Sequence, residues 1–467
     1  MKRHHVLRAL LAPVSALATL AVVTGGTVVA TGSPAGAAAL PACPLKALKA
    51  AKGTVNITFW ESTNNANLTV LTGLTNAFNS SQSKIHVSLV TQAGYDDTWA
   101  KYTAGLSSGN LPDLAQIQDI NLQEAIDTRS FLPAQSCINA THYATSDFLP
   151  RALDYWKVDG VQEALPWAVS TPVLYYNKNS FTAAGLNPND PPATLAQMLT
   201  DASALKAHSI GTGLVLDPWY LETWLSTANE PFVNNGNGRS ARATKAVFIT
   251  PAATQVFTDL SQLVNNDGGV TNPSTGAEEF DDLLGIGSGK YGMAIDTSAA
   301  LGTVYSVLKN YPNVSLGVAP FPVLSATSKG GIEAGGSALY ISDKVPAAAQ
   351  AAAWEFAVYL DTTQNLATWA AGSGYIPIRK SSIQTATIQN LWASQPAFKI
   401  AYDQLESGAN SAATAGAVVG PYEQVRTDEL DAQETMYLQG VAPKTALAAA
   451  AKSVDATISA YNQRLGD

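Results

Sequence analysis

The chain is poor in the residues on which metal and thiol chemistry depends. Its 467 residues include two cysteines and five histidines. His86, His142 and His208 are the histidines beyond the N-terminal leader, and they lie far apart in the sequence. A zinc site needs several such ligands at characteristic spacing. The sequence therefore predicts no metal site, and no cofactor is expected.

Lysine and arginine are also scarce, with 27 of them against 36 aspartates and glutamates, and the net charge is −9. Lys2, Arg3 and Arg8 fall within the first residues, so without these three cations the net charge becomes −12. Proteins that bind nucleic acids carry a basic patch or stripe. A nucleic-acid partner is not expected here.

Sequence motifs of common enzymes are missing. Gly285–Lys290 resembles a phosphate-binding loop, but Leu284 and Tyr291 occupy the places where that loop needs glycine and serine or threonine. The acidic cluster at 278–282 is predicted to be a solvated helix face rather than a pair of catalytic acids. These absences favour a binding protein over an enzyme. A secreted hydrolase that uses Asp119 and a second acid is the alternative from another class.

Residues 1–38 have the pattern of a secretory signal peptide. A basic start precedes an apolar stretch from Val6 to Val29, and small residues follow at 35–39. Pro13 interrupts the stretch, so a retained membrane helix is the less favoured alternative. We expect an exported protein at the cell surface or in the periplasm.

The two cysteines, Cys43 and Cys137, are expected to form a disulfide, because cysteines of exported chains usually pair. A second use of Cys43 stays open at this point. Residues 40–43 loosely resemble the site at which bacterial lipoproteins are lipidated, although Pro41 fits that site poorly. In that case, a lipid would tether the protein to the outer face of the membrane.

Periodicity indicates an α/β fold. Apolar and polar residues alternate at 55–59 and 85–89, and a helical spacing lies between them, which predicts strand, helix and strand and therefore a parallel sheet. Further strands are predicted at 171–176 and 314–319. Helices are predicted to begin at three prolines: Pro251, Pro346 and Pro443.

Several segments resemble the extracellular solute-binding proteins of ABC importers, and in particular those that bind glycerol 3-phosphate. They occur in the order in which that family has them. The segments are LPWAVSTPVLYYNKNSFTAAGLNP at 165–188, VNITFW at 55–60, GKYGM at 289–293, GGSAL at 335–339, GSGYIP at 372–377 and GPYEQVRTDEL at 420–430.

The resemblance implies a two-lobed α/β fold, like that of periplasmic binding proteins, with the ligand in a cleft that closes by a hinge motion. Each lobe is discontinuous in sequence. The first is expected to comprise 39–165 and about 298–345, and the second 166–297 and about 346–467. An ABC permease is the expected protein partner, and the chain itself is expected to be a monomer.

The resemblance also implies the ligand-contacting residues. Asp119 stands where the family has glutamate, and it would accept hydrogen bonds from ligand hydroxyls either from a closer position or through a water molecule. Thr297 and Ser298 are alternatives for one hydroxyl donor. The other implied contacts are Tyr95, Ser170, Trp219, Tyr220, Gly335, Gly336 and Tyr375.

Arg426 is the residue expected to hold a ligand phosphate, because a guanidinium offers paired donors and keeps its charge. An ion pair with Glu429, three residues further along a helix, is the alternative. The implied ligand is glycerol 3-phosphate or a glycerophosphodiester such as glycerophosphocholine. A neutral sugar stacked on Trp219 and Tyr375 is the alternative ligand within the same class of protein.

Overall fold

The computed structural model describes residues 39–272, 281–311 and 313–466. The predicted signal peptide, Glu278 and Glu279 lie outside these residues. Within them, no helix combines the length and the apolar character needed to cross a membrane. The strands are β1 Val55–Glu61, β2 Ile85–Thr91, β3 Leu114–Gln118, β4 Phe131–Leu132, β5 Lys157–Val158, β6 Val161–Gln162, β7 Leu165–Ser170, β8 Pro172–Asn177, β9 Gly211–Val215, β10 Gly269–Asn272, β11 Tyr291–Thr297, β12 Leu316–Pro320 and β13 Gly335–Ser342.

The helices alternate with these strands along the chain. They are α1 Leu45–Ala50, α2 Asn65–Ser81, α3 Tyr95–Ser108, α4 Leu122–Thr128, α5 Ala134–Thr141, α6 Pro150–Asp154, α7 Lys178–Ala183, α8 Leu195–Ala207, α9 Pro218–Thr227, α10 Asn234–Asn237, α11 Pro251–Asn265, α12 Asp281–Gly287, α13 Leu301–Leu308, α14 Ala347–Leu360, α15 Thr363–Ser373, α16 Ala386–Ser394, α17 Ala397–Ser407, α18 Tyr422–Gln439 and α19 Pro443–Leu465.

The first sheet has the strand order β2-β1-β3-β13-β4, and β7 also pairs with β13. β1 runs parallel to β2 and β3, as the strand-helix-strand pattern predicts, whereas β13 is antiparallel to its partners. In β1, Ile57 and Phe59 are buried at alternate positions. Their side chains join one hydrophobic core that includes Trp167, Trp354 and Trp369.

The second sheet has the order β10-β9-β11-β8-β12. β9 is parallel to β10 and β11, and β8 is antiparallel to β11 and β12. Every residue of β7 and of β8 is buried. These adjacent strands lie in different sheets, so the chain crosses from the first sheet to the second at Thr171.

The last helix shows how the second core is built. Pro443 begins α19, where the missing N–H of proline costs nothing, and Leu447, Ala451, Val454 and Ile458 form a buried stripe along it. α19 packs on α18 and α11. The stripe therefore contributes to the second hydrophobic core, which is separate from the core around the first sheet.

Three elements, β7, β12 and α14, pack on the other side from the expected lobe segments. Residues 166–170 of β7, expected in the second lobe, pair with β13 in the first sheet. β12, expected in the first lobe, pairs with β8 in the second sheet. α14, expected in the second lobe, packs on β1 and β13 of the first sheet, and α15 packs on α2. The chain thus passes between the two sides more often than the resemblance implies. Hydropathy could not resolve this, because a buried strand looks the same in either sheet.

A disulfide joins Cys43 to Cys137, as predicted, with the two Cα atoms 4.9 Å apart. It connects the segment before α1 to α5, and the cysteines are separated by 94 positions. Because its sulfur is bonded to Cys137, Cys43 cannot at the same time carry the thioether of a lipid anchor.

Candidate ligand-binding site

A cavity of about 100 Å³ is lined by residues from both sheets, at the carboxyl ends of β1, β3, β7, β9 and β11 and at the start of the antiparallel strand β13. Ligands of open α/β sheets bind at this position. Residues that follow β1, β3 and β9 line the cavity, together with the last residues of β7 and β11. The predicted residues that line it are Tyr95, Asp119, Ser170, Trp219, Tyr220, Thr297, Gly335, Gly336, Tyr375 and Arg426.

Ser298 is the predicted residue that does not line this cavity. It is fully buried, and its hydroxyl oxygen accepts a hydrogen bond from the Thr171 N–H at 3.4 Å. Thr297 lines the cavity, and its hydroxyl oxygen accepts from the Ala299 N–H. Of the two alternatives that the sequence left open, the structure brings Thr297 to the cavity and uses Ser298 to support the crossing at Thr171.

Glycine is required at 335 and 336 by protein contacts. A Cβ on Gly335 would lie 2.5 Å from Cζ2 of Trp219. Gly336 has φ of +113°, and a Cβ there would lie 2.0 Å from the Ala168 carbonyl oxygen in the neighbouring strand β7. Both positions line the cavity, so these glycines let β13 approach Trp219 and β7 closely.

Two tyrosines of the first side contact each other. The hydroxyl oxygens of Tyr95 and Tyr375 are 3.2 Å apart, and the Tyr95 hydroxyl also donates to Ser337 Oγ at 3.3 Å. The Tyr375 ring stacks on Trp369 with the centroids 5.2 Å apart. A hydrogen-bonded and stacked pair of this kind gives the cavity a preorganised wall.

The second side contributes Trp219 and Tyr220 from the first turn of α9. Asp217 caps this helix by accepting the Trp219 N–H at 2.9 Å. The Tyr220 hydroxyl donates to the Ile295 carbonyl at 2.9 Å, so the protein already uses that hydroxyl. The Trp219 Nε1 is buried and has no acceptor among the described residues.

Arg426 lines the cavity, and its main partner is a carboxylate that the sequence analysis missed. Its Nε and Nη2 donate to the two oxygens of Glu222 at 2.9 and 2.6 Å. Glu429, the expected alternative, instead accepts from Gln433. No acceptor for Arg426 Nη1 is found in the part of the chain that the structure describes. Burial alone would lower the pKa of Arg426, but Glu222 raises it well above its usual value.

Asp119 follows β3 and is buried. Its Oδ1 accepts the N–H of Ile120 at 2.8 Å. Burial raises the pKa of Asp119 to about 7, against the lowering effect of Arg426. At neutral pH both the charged and the neutral form of this carboxyl are therefore present. A charged group bound in the cavity would shift the balance between the two forms.

Two further carboxylates line the cavity, and sequence reasoning missed both. Asp217 precedes α9, and Asp296 lies near the end of β11, where it accepts the Thr297 N–H at 2.6 Å. Burial and the neighbouring Asp282 raise the pKa of Asp296 well above its usual value. Their positions in the sequence could have indicated them. Asp217 comes soon after the apolar run that forms β9, and Asp296 lies near the end of the apolar run that forms β11.

Asp282 corrects one expectation. The acidic cluster was predicted to be a solvated helix face, but Asp282 is fully buried and its Oδ2 has no partner among the described residues. Burial raises its pKa to about 7. Asp282 does not line the cavity, but it is close enough to Asp296 to raise the pKa of that residue.

The polar segment after β1 also reaches the cavity and was missed. Ser62, Thr63, Asn64 and Asn67 line it at the start of α2. Asn67 is about nine-tenths buried, and its amide donates weakly to the Ala299 carbonyl at 3.5 Å. Its Oδ1 has no donor in residues 39–272, 281–311 and 313–466.

The chain matches a family model described as bacterial extracellular solute-binding protein over residues 73–399. Among curated proteins, it is 25% identical over 424 residues to the sn-glycerol-3-phosphate-binding periplasmic protein UgpB of Pectobacterium atrosepticum, covering 88% of this chain and 93% of that protein. UgpB of Escherichia coli O6:K15:H31 is 23% identical over 404 residues, covering 85% of this chain and 91% of that protein.

Solved structures share the fold. UgpB of Mycobacterium tuberculosis in complex with glycerophosphocholine has a TM-score of 0.73 at 19% identity, covering 88% of this chain and all of that one. The GacH receptor of Streptomyces glaucescens, solved unliganded and with acarbose, has a TM-score of 0.70 at 20% identity, covering 89% and 99%. These receptors are not enzymes, and the two-lobed fold is confirmed. The chain belongs to the bacterial extracellular solute-binding protein family and is the substrate-binding component of an ABC importer.

Proposed function

We propose that this receptor captures a glycerophosphodiester whose second substituent is cationic, the class that includes glycerophosphocholine. The observation that carries the proposal is the cavity's mixture of unpaired donors and acceptors. Arg426 Nη1 and Trp219 Nε1 have no acceptor among the described residues, and Asn67 Oδ1 has no donor there. The phosphate oxygens of such a diester would accept from the unpaired donors, and its glycerol hydroxyls would donate to the unpaired acceptor.

The charges in the cavity favour a diester over glycerol 3-phosphate. A phosphate monoester carries almost two negative charges at neutral pH, because its second pKa is about 6. Arg426 is already paired with Glu222, while Asp119, Asp217 and Asp296 line the same cavity. A dianion would therefore lie next to acidic side chains, and the one guanidinium among the described residues that line the cavity already has a carboxylate partner. A diester carries one negative charge, and its cationic end would balance the carboxylates.

Calorimetric titration of the purified mature chain tests this proposal. Glycerophosphocholine, glycerol 3-phosphate and maltose would be compared at one pH and salt concentration. We expect the diester to bind at least about tenfold more tightly than the other two ligands, a difference of about 1.4 kcal/mol. Tighter binding of glycerol 3-phosphate would overturn the argument from the cavity's charge.

A neutral sugar is the second candidate ligand. The rings of Trp219, Tyr220 and Tyr375 line the cavity and could stack on a pyranose. The acidic residues could then accept hydrogen bonds from sugar hydroxyls. A preference for maltose in the same titration would support this alternative.

We also propose that the receptor is exported by residues 1–38, acts as a monomer and is held by no lipid. The pairing of Cys43 with Cys137 supports the last point. Intact-mass measurement of the exported protein would give the cleavage site and any lipid. Light scattering would give the oligomeric state, and a stable dimer would contradict the proposed monomer.

A further inference from the structure

Three side chains join the two sides of the molecule outside the ligand cavity. Arg242 donates through Nη1 and Nη2 to the two carboxylate oxygens of Asp127, at 2.8 and 2.7 Å. The Tyr461 hydroxyl donates to Oδ2 of the same carboxylate at 2.8 Å. These three residues are not among those that line the ligand cavity. We call the cluster of Asp127, Arg242 and Tyr461 the clasp.

The members of the clasp belong to different hydrophobic cores. Asp127 lies on α4, where Ala125 is buried in the first core. Arg242 precedes Ala243, which is buried in the second core. Tyr461 lies on α19, whose apolar stripe belongs to the second core as well. The clasp is therefore a contact between two separately packed bodies, and movement of one body relative to the other would change it.

The clasp is connected to the ligand cavity on both sides. Asp119, which lines the cavity, lies in the short turn immediately before α4. Arg426, on the opposite wall, lies on α18, which packs on that turn and on α19. α4 carries Asp127, and α19 carries Tyr461. A ligand that draws the turn at Asp119 towards α18 would therefore also bring the members of the clasp together.

The clasp lies beside a cavity rather than inside a packed core. This second cavity, of about 640 Å³, is lined by residues of α4 and α19 and by both Asp127 and Arg242. The side chain of Arg242 is 28% exposed and that of Asp127 is 10% exposed. Water can therefore replace the partner of each charged group when the ion pair opens. The bidentate geometry makes the pair specific when it closes.

We propose that the clasp stabilises the closed form of the receptor, in which residues of both sides line the ligand cavity, and so raises the affinity for whichever ligand it closes on. The inference goes beyond the proposed function, because it does not depend on the chemistry of the ligand. It requires the two sides to move relative to each other, as in hinge closure. Apparent affinity falls with the fraction of receptor in the binding-competent form. Breaking the clasp lowers that fraction.

Arg239 suggests the competing interpretation. It lies three residues before Arg242, and it donates to the backbone carbonyls of Tyr155, a residue of the first core, and of Gly416. Such main-chain contacts suit a pivot about which the two sides turn. If Arg242 belonged to that pivot, its ion pair would stay closed throughout the motion. Breaking it would then reduce stability without changing closure.

The first test measures affinity in the variant Arg242→Gln, which removes the charge and keeps a long polar side chain. Calorimetry with glycerophosphocholine, glycerol 3-phosphate and maltose should show every ligand that binds weakened by the same factor, at least about threefold. Loss of affinity for a single ligand, or affinities within about twofold of the wild type, would overturn the clasp.

Two further variants show whether the ion pair is responsible. Asp127→Asn combined with Arg242→Gln should bind within about twofold of either single variant, because each change removes the same contact. Losses that multiply in the double variant would contradict the clasp. Asp403→Asn is the matched control, since it removes an exposed ion pair with Lys399 inside α17. It should leave all affinities within about twofold of the wild type.

The second test measures closure directly and needs no ligand. Spin labels at Asn76→Cys and Thr258→Cys would report the distance between α2 and α11, where both positions are exposed. We expect a population at shorter distance in the ligand-free receptor, and Arg242→Gln should reduce it at least about threefold. Absence of this population, or an equal population in the variant, would overturn the proposal. If none of the three ligands binds, the proposed function fails while this measurement still decides on the clasp.

Discussion

Two enclosed arginines show how differently this fold uses the same side chain. Arg239 donates to backbone carbonyls through all its nitrogens, among them Nε to Gly416 at 2.8 Å and Nη1 to Tyr155 at 3.1 Å. Arg426 donates to the single carboxylate of Glu222 through Nε and Nη2. Each also lies over a tyrosine ring, at 5.3 Å for Arg239 and 5.2 Å for Arg426.

The two arginines differ in whether a side-chain nitrogen remains for a ligand: the nitrogens of Arg239 all donate to the protein, whereas Arg426 donates through Nε and Nη2. Burial lowers the pKa of Arg239, whereas Glu222 raises the pKa of Arg426 despite its burial. The carbonyl cage around Arg239 holds together segments that are distant in sequence. The ion pair of Arg426 holds the guanidinium in one orientation and leaves Nη1 directed away from Glu222. We interpret Arg239 as structural and Arg426 as a ligand contact.

The largest expected effect concerns Arg426. Arg426→Ala should weaken binding of the glycerophosphodiester by about 2 to 5 kcal/mol, the usual cost of removing one partner of a buried charged contact. The variant also leaves the buried carboxylate of Glu222 without its partner, so the protein should unfold at a lower temperature. Calorimetry and thermal unfolding would measure both changes.

The matched control for that prediction is the double variant Arg426→Gln with Glu222→Gln. It removes both charges together and should recover most of the stability without recovering the affinity. If the double variant binds as tightly as the wild type, the guanidinium does not contact the ligand.

Arg239→Ala should affect stability instead of binding. Several buried carbonyls would lose their donor, and each unpaired group costs about 1 to 3 kcal/mol. We expect urea denaturation to show a loss of about 2 to 4 kcal/mol. Calorimetry on the folded variant should give an affinity within about twofold of the wild type. A loss of affinity like that of Arg426→Ala would remove the distinction between the two arginines.

Asp119 sharpens the comparison, because it is a carboxylate near Arg426 that has no ion pair of its own. Its pKa is about 7 in the folded protein, against 3.8 as the ordinary value. The folded state therefore binds this proton more tightly than the unfolded state does. The stabilisation is complete below about pH 4 and is lost as the pH rises to about 7.

Asp119→Asn removes this dependence. Relative to the wild type, the variant should gain stability as the pH rises from about 4 to about 7, by roughly 1 to 3 kcal/mol after relaxation, and the gain should then level off. Urea denaturation at several pH values would measure the difference. A difference in stability that does not change with pH would contradict the assigned pKa.

Tyr422→Phe should have the smallest effect. The Tyr422 hydroxyl is buried and has no partner among the described residues, whereas its ring lies next to Arg426. Removing an unpaired hydroxyl and keeping the ring should change stability by less than about 1 kcal/mol, in the favourable direction. Thermal unfolding would test this, and Tyr422→Leu, which removes the ring, should be measurably less stable.

Local patterns predicted much of the fold. Alternation predicted β1 and β2, apolar runs predicted β8 and β12, and the proline at 443 predicted the start of α19. These signals are local, since each depends on residues within one element. The sheet to which a buried strand belongs depends on distant contacts, so the sequence could not predict that β12 pairs in the second sheet and that α14 packs on the first. The lobe boundaries stay a prediction.

The candidate site shows the same contrast between local sequence signals and contacts between distant residues. The resemblance pointed to residues that line one cavity, and it could do so because they lie in recognisable segments. Glu222 was missed because 204 positions separate it from Arg426. Asp217 and Asp296 were missed because a helix cap and a strand end look ordinary in sequence, and their shared environment exists only after folding.

The bond between Cys43 and Cys137 closes a covalent ring that contains Ser62, Asn67, Tyr95 and Asp119. Most of one face of the cavity is thus built from a tethered loop. A protease that cuts this loop once would leave both fragments attached, and electrophoresis would separate them only after reduction. Nicked receptor in an extracellular environment would therefore keep its binding groups together.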